Sequence, residues 1–210
     1  MGKKNFFENK GGFTAVEMLV ALGIVSILLL AINSVFSVTK RATVTNEVAT
    51  EVMQAVRTSM DFMEQDIRMA GLEYPDGEAA GIEVATATNF RFTADRNRDL
   101  LINIADVSDG IQEIDLERIT YSYDSANKRL RQCLSEGTTN AWETVAENVE
   151  SFSFTFWDAA NAPLATPVAA ADLSDIRTVI VTMTVERPAS RFDPVTRTLR
   201  KRVIARNLGF

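Results

Sequence analysis

At 210 residues, 46% of them apolar, the chain has room for one domain with a sizeable core and an appendage. Its formal net charge of −6 argues against the basic footprint of a protein that grips a phosphate backbone. The absence of histidine removes the commonest general base and transition-metal ligand, and a single cysteine, Cys133, excludes an internal disulfide framework, so an enzyme is not expected.

Residues 1–12, MGKKNFFENKGG, are short and basic. Phe13 to Val38 is predominantly apolar with Glu17 as its only charge, and Lys40–Arg41 close the stretch. As a helix it would measure roughly 39 Å, enough to cross a hydrocarbon core of about 30 Å. No small-x-small cleavage site follows the apolar run, so the segment reads as retained. Between Thr43 and Ala70 there is no Gly or Pro, and Val48, Val52, Val56, Met60, Met63, Ile67 and Ala70 recur at spacings of three and four. That is one face of an amphipathic helix, with Gly71 just past its end and Pro75 blocking its resumption. A single helix over Phe13–Ala70, roughly 85 Å long, would then be apolar all round in its first half and on one side in its second.

Beyond Gly71 the period shortens to two. GIEVATATNFRFTA alternates in short runs, and ERITYSYDSANKRLRQC reads as two strands about an Asp-Ser-Ala-Asn turn. NVESFSFTFWD sets Phe152, Phe154 and Phe156 on one side of a strand, as RTVIVTMTVER does Val179, Val181, Met183 and Val185. RTLRKRVIARN offers a last strand with Leu199, Val203 and Ala205 inward and its basic residues outward. The Ala/Pro-rich stretch at 158–175 has no clear period and reads as an exposed connection. The expected fold class is α+β, a long N-terminal helix packed on an antiparallel β-sheet domain.

Lys-Gly-Gly before Phe-Thr-x-x-Glu and an apolar run resembles the class III signal of type IV prepilins and type II secretion pseudopilins. The resemblance implies cleavage by a prepilin peptidase between Gly12 and Phe13, N-methylation of Phe13, and an assembly charge at Glu17, the fifth mature residue. It divides the chain into a leader (1–12), a transmembrane and filament-core helix (13–40), its amphipathic continuation (41–71) and a globular antiparallel β domain (72–210). The segment MEQDIRMAGLEYP, with Asp66, Arg68, Ala70 and Gly71, resembles the helix end of PilW-like minor pilins. Taken by themselves, Asp66 and Arg68 read as solvated helix charges and Gly71 as a helix C-cap. Asn33–Ser34 stands where many major pilins carry a helix-bending proline, and Cys133 alone cannot staple the C-terminal region; both features fit a minor subunit. Glu17 argues against a place at the extreme tip. The function implied is that of a minor type IV pilin supporting pilus initiation or assembly. Alternatives are a minor pseudopilin of a type II secretion system and a pilus-displayed adhesin or ligand-binding module. Expected partners are other minor and major pilins, the prepilin peptidase, the inner-membrane assembly platform with its ATPase, and the membrane itself, with no nucleic acid expected. The implied location is the bacterial inner membrane with the globular domain in the periplasm, then the filament at the cell surface.

Outside the leader, Asp95, Asn97 and Asp99 have D-x-N-x-D spacing, with Ile102 at the eighth place, Asn103 at the ninth and Asp106 at the twelfth. This resembles a calcium loop, although Leu100 stands where the sharp turn wants glycine and Asp106 is shorter than the usual glutamate. The competing reading is an acidic surface loop, and no other cofactor is indicated. Glu113, Asp115 and Glu117 alternate and read as one solvated strand face. Trp142 and Trp157 fit either a carbohydrate-binding surface or cover for a core edge.

Overall fold

The computed structural model describes residues 12–73, 77, 79–98, 100–102, 117–134, 142–189 and 192–208, and separates into two compact units after Thr45. The first unit holds the start of helix α1, which runs Ala15–Met69. No proline interrupts it, and it continues unbroken through Asn33–Ser34. From Val16 to Val38 every large apolar side chain is exposed, Leu19 to 73%. Three hydroxyls in and just past this stretch turn back on their own helix: Ser26 Oγ donates to Leu22 O at 2.7 Å, Ser37 Oγ to Asn33 O at 2.8 Å and Thr39 Oγ1 to Val35 O at 2.9 Å. Satisfied internally, they present hydrocarbon outward, as a lipid or helix-packed environment requires. Among the described residues α1 is the one helix long and apolar enough to cross a membrane.

The second unit contains the rest of α1 and two antiparallel sheets. The first sheet has the order β1 (Ile82–Ala85), β2 (Asn89–Thr93), β3 (Arg118–Asp124), β4 (Arg129–Cys133) and β5 (Glu143–Glu147). The second is β6 (Val149–Trp157), β7 (Thr178–Ala189) and β8 (Phe192–Ile204). Asn148, in the left-handed region at φ 57°, is the single residue between β5 and β6 and turns the chain from one sheet to the other. The β3–β4 hairpin closes where Asp124 Oδ1 accepts the Asn127 N–H at 3.1 Å, so the Asp-Ser-Ala-Asn turn forms as its side-chain chemistry dictates.

The helix face expected from periodicity is the face that packs. Val52, Val56, Met60, Met63, Ile67 and Ala70 are all at most 1% exposed, and Val48 covers the rim. Complete burial of a large apolar side chain contributes about 1.5–3 kcal/mol. The sheets meet this face with Phe90, Phe92, Ile119, Tyr121 and Leu130 from one and Phe152, Phe154, Phe156, Val179, Val181, Met183 and Val203 from the other. Phe90 joins them, its ring centroid 5.2–5.4 Å from those of Phe92, Phe154 and Phe156.

Several polar residues depart from expectation. Asp66 is not a solvated charge but 4% exposed, its Oδ2 accepting the Tyr121 hydroxyl at 2.6 Å and the Gln132 amide at 2.7 Å. Burial raises its pKa against the lowering effect of those bonds and of Arg96. The node ties the last helical turns to β3 and β4, while Ser59 Oγ donates to Val145 O at 2.8 Å and ties the middle of the buried face to β5. Lys201 does not face outward with its neighbours. It lies between Leu199 and Val203 on the helix side and pairs with Asp61 and Glu64, whose bonds outweigh desolvation and leave its pKa raised. Arg68 is exposed as expected and pairs with Glu64 one turn earlier. The 158–175 stretch is the exposed connection expected, with only Asp158, Leu164, Val168 and Leu173 part-covered. It contains a 3-10 turn at Ala170–Asp175, donates Val168 N–H to Ala85 O at 2.9 Å, and packs Leu164, Val168 and Leu173 on the core.

The helix ends where Gly71 takes φ 74°, a conformation that costs other residues about 1–2 kcal/mol. A Cβ at this position would stand 2.3 Å from Leu208 Cδ2, so the glycine also admits the C-terminal segment against the helix end. Asn207 Nδ2 donates to Arg68 O at 3.1 Å beside it.

Candidate functional site

Gly12 and Phe13 precede α1 outside any regular element, and Phe13 is 81% exposed. A Cβ at Gly12 would meet nothing within 4 Å, so the peptide between Gly12 and Phe13 is not crowded by the fold. Thr14 is the N-cap. Its Oγ1 accepts the Glu17 N–H at 3.2 Å, while Glu17 Oε2 accepts the Thr14 N–H at 3.4 Å. This reciprocal pair is a capping box, and it satisfies two of the helix's orphan donors. The Thr-x-x-Glu spacing announces it in the sequence, but reading Glu17 only as a costly intramembrane charge passes over Thr14. Only Oε2 of Glu17 is engaged among the described residues, so the carboxylate keeps most of its acceptor capacity for a second group. Its position in the first turn also places its charge where the helix dipole favours an anion.

The calcium-loop residues are only partly within the described structure: Asp99, Asn103 and Asp106 lie outside it. Asp95 is 2% exposed and spends both oxygens on its own loop, Oδ1 accepting the Arg98 N–H at 2.6 Å and Oδ2 the Leu100 N–H at 3.2 Å. Leu100 adopts φ 72°, the turn conformation for which the motif normally supplies glycine. Asn97 is exposed and two places along. Among the described residues, no three metal-ligating side chains come together to hold an ion.

Glu113 and Asp115 also lie outside the described residues, but Glu117 overturns the solvated reading at its own position. It is fully buried, and its Oε1 accepts the N–H groups of Arg96 at 2.5 Å and Asn97 at 3.3 Å. Glu117 thus organises the 95–98 turn. Alternation alone could not reveal this, because the acceptor's partners are backbone groups some twenty residues earlier. Trp142 lies under the Arg131 guanidinium, 5.2 Å from ring centroid to Cζ, and Trp157 sits partly covered where β6 enters the 158–175 stretch. Cys133 is buried.

No protein-family model matches this sequence, and no curated protein matches it. Among solved structures the chain is similar to the type IV-like pilin TTHA1219 from Thermus thermophilus, at 10% identity and a TM-score of 0.48, over 76% of this chain and 100% of that one.

Proposed function

We propose that the chain is a prepilin-type subunit, a minor type IV pilin trimmed between Gly12 and Phe13 and inserted in the inner membrane before it joins a filament. The observation that carries this reading is the junction of a Lys-Gly-Gly/Phe-Thr-x-x-Glu start with one helix that is bare and apolar at first and core-packed later. Two such surfaces on one helix need two environments, and a filament supplies the first by packing copies or relatives around it. A carboxylate in the bilayer interior costs about 2.5–3.5 kcal/mol on insertion scales. The α-ammonium of a trimmed Phe13, still cationic after N-methylation, offsets that cost when it belongs to a neighbouring subunit. Docking then neutralises two charges and sets the axial register of the incoming helix. The capping box holds Glu17 in one place while leaving Oε1 to receive the ammonium.

A minor pseudopilin of a type II secretion system shares these features and is the second reading; affinity recovery of pilus or secretin-associated components separates the two. The role of Glu17 is tested by Glu17→Ala in a strain producing the protein at native levels. Trimming by the peptidase is expected to continue while incorporation into sheared filaments falls at least tenfold, and normal incorporation overturns the charge-pairing role.

A further inference from the structure

We propose that the outer face of the β6–β7–β8 sheet carries a binding site for the carboxylated pyranose rings of an acidic polysaccharide. The register sets Thr155, Ile180 and Arg202 in one row across the three strands and Ser153, Thr182 and Arg200 in the next, all on the side away from the phenylalanine core. Trp157 ends β6 on the same face. The chain then doubles back through a turn in which Asp158 Oδ1 accepts the Ala162 N–H at 2.8 Å and Asn161 adopts φ 59°. This brings Asn161 Oδ1 to the Arg202 guanidinium, which donates to it. Trp157, Asn161, Ile180, Arg200 and Arg202 line an open depression of about 440 Å³, within the range of small-molecule sites.

The chemistry of the lining selects the ligand. Many cations on this acidic chain meet acids: Arg118 with Glu83, Lys128 with Glu150, Arg187 with Glu51, and Lys201 with Asp61 and Glu64. Neither Arg200 nor Arg202 meets a carboxylate among the described residues. Both are exposed, and two places apart on one strand they stand about 6–7 Å from each other along the sheet. A guanidinium takes a planar carboxylate through two parallel N–H bonds. Beside them, the part-exposed Trp157 supplies a flat apolar wall for the C–H face of a sugar ring, next to the small exposed part of Ile180, which is 8% exposed. The Asn161 amide adds hydrogen-bonding capacity for ring hydroxyls. A nucleic acid fits less well. Duplex DNA carries a charge about every 1.7 Å and calls for many cations, whereas a uronate chain carries one charge per ring. The backbone of β7 is spent on its ladders with β6 and β8, so it offers no cradle of N–H groups to a phosphate.

The test titrates the full chain, purified in detergent micelles at low ionic strength, with tri-galacturonate, with its methyl ester and with monomeric galacturonate, by calorimetry and tryptophan fluorescence. The expected result is binding of the trimer, weakened about tenfold in Arg200→Gln and in Arg202→Gln and lost in the double variant, with the ester at least tenfold weaker. Arg200→Gln is expected to leave the thermal midpoint unchanged, so its loss of affinity reports the site and not the fold. The proposal is overturned by the absence of trimer binding, by equal affinity in the double variant, or by an ester that binds as well as the acid. A monomer binding as tightly as the trimer assigns the depression to free sugar acids, and duplex DNA binding that is lost in the same variants assigns it to nucleic acid; either also overturns it. The outcome is independent of trimming at Gly12.

Discussion

Replacing Asp66 probes the join between the helix and the first sheet. One of its oxygens accepts both the Tyr121 hydroxyl and the Gln132 amide, which are themselves 3.0 Å apart. Asp66→Ala strands two buried donors at about 1–3 kcal/mol each. The direct Gln132–Tyr121 bond recovers part of that, leaving an expected loss of about 2–4 kcal/mol. For a chain of this size the midpoint of thermal unfolding should fall by about 4–16 °C. Asp66→Asn keeps an acceptor oxygen and removes a charge that burial disfavours, so its cost at neutral pH should be under about 1 kcal/mol. The pH dependence has a definite sign. The folded-state pKa of Asp66 is raised, so the native state holds the proton more tightly than the unfolded chain does. Wild-type stability from this group therefore grows as pH falls through the folded pKa, is complete below the unfolded value, and is absent in Asp66→Asn. Near-UV circular dichroism of the purified full chain at neutral pH and at about pH 4.5 measures both effects. An alanine variant within 1 kcal/mol of wild type refutes the reasoning, as does a wild-type/asparagine difference that moves the other way with acid.

Gly71→Ala combines an unfavourable positive φ with a Cβ driven into Leu208, and should cost at least about 2 kcal/mol. Adding Leu208→Ala should restore only part of the loss, as seen in the same melts, because the backbone strain stays. Thr14→Val removes the side-chain half of the capping box and should lower helix stability by about 0.5–2 kcal/mol while leaving filament incorporation near normal. If Thr14→Val and Glu17→Ala reduce incorporation equally, Glu17 acts only as a cap.

The helix and the strands were legible because their signals are periodic. Val52 through Ala70 mark a buried helical face, and Phe152, Phe154 and Phe156 with Val179 through Val185 mark the inner side of two paired strands. What escaped were polar residues whose surroundings depend on distant segments. Lys201 and Arg202 are neighbours of similar chemistry, but the acids of α1 stand only on the side toward which Lys201 projects. Asp66 and Glu64 are two residues apart on α1, but Asp66 meets Tyr121 and Gln132 of the first sheet while Glu64 pairs with Arg68 and with Lys201 of the second. Glu117 looked like the end of a solvated row until the 95–98 turn supplied its donors. The connection at 158–175 carries no period because Leu164, Val168 and Leu173 reach the core from an irregular backbone. At the N-terminus the leader pattern was plain. Thr14 was visible too, as a capping residue at the proper spacing, but Glu17 drew the eye as a membrane charge.

Mass spectrometry of the N-terminus of the protein recovered from its native membrane and filament fractions tests the assembly account most directly. The account predicts a chain that starts at N-methylated Phe13, with Glu17 fifth. A mature protein that still begins at Met1 contradicts it.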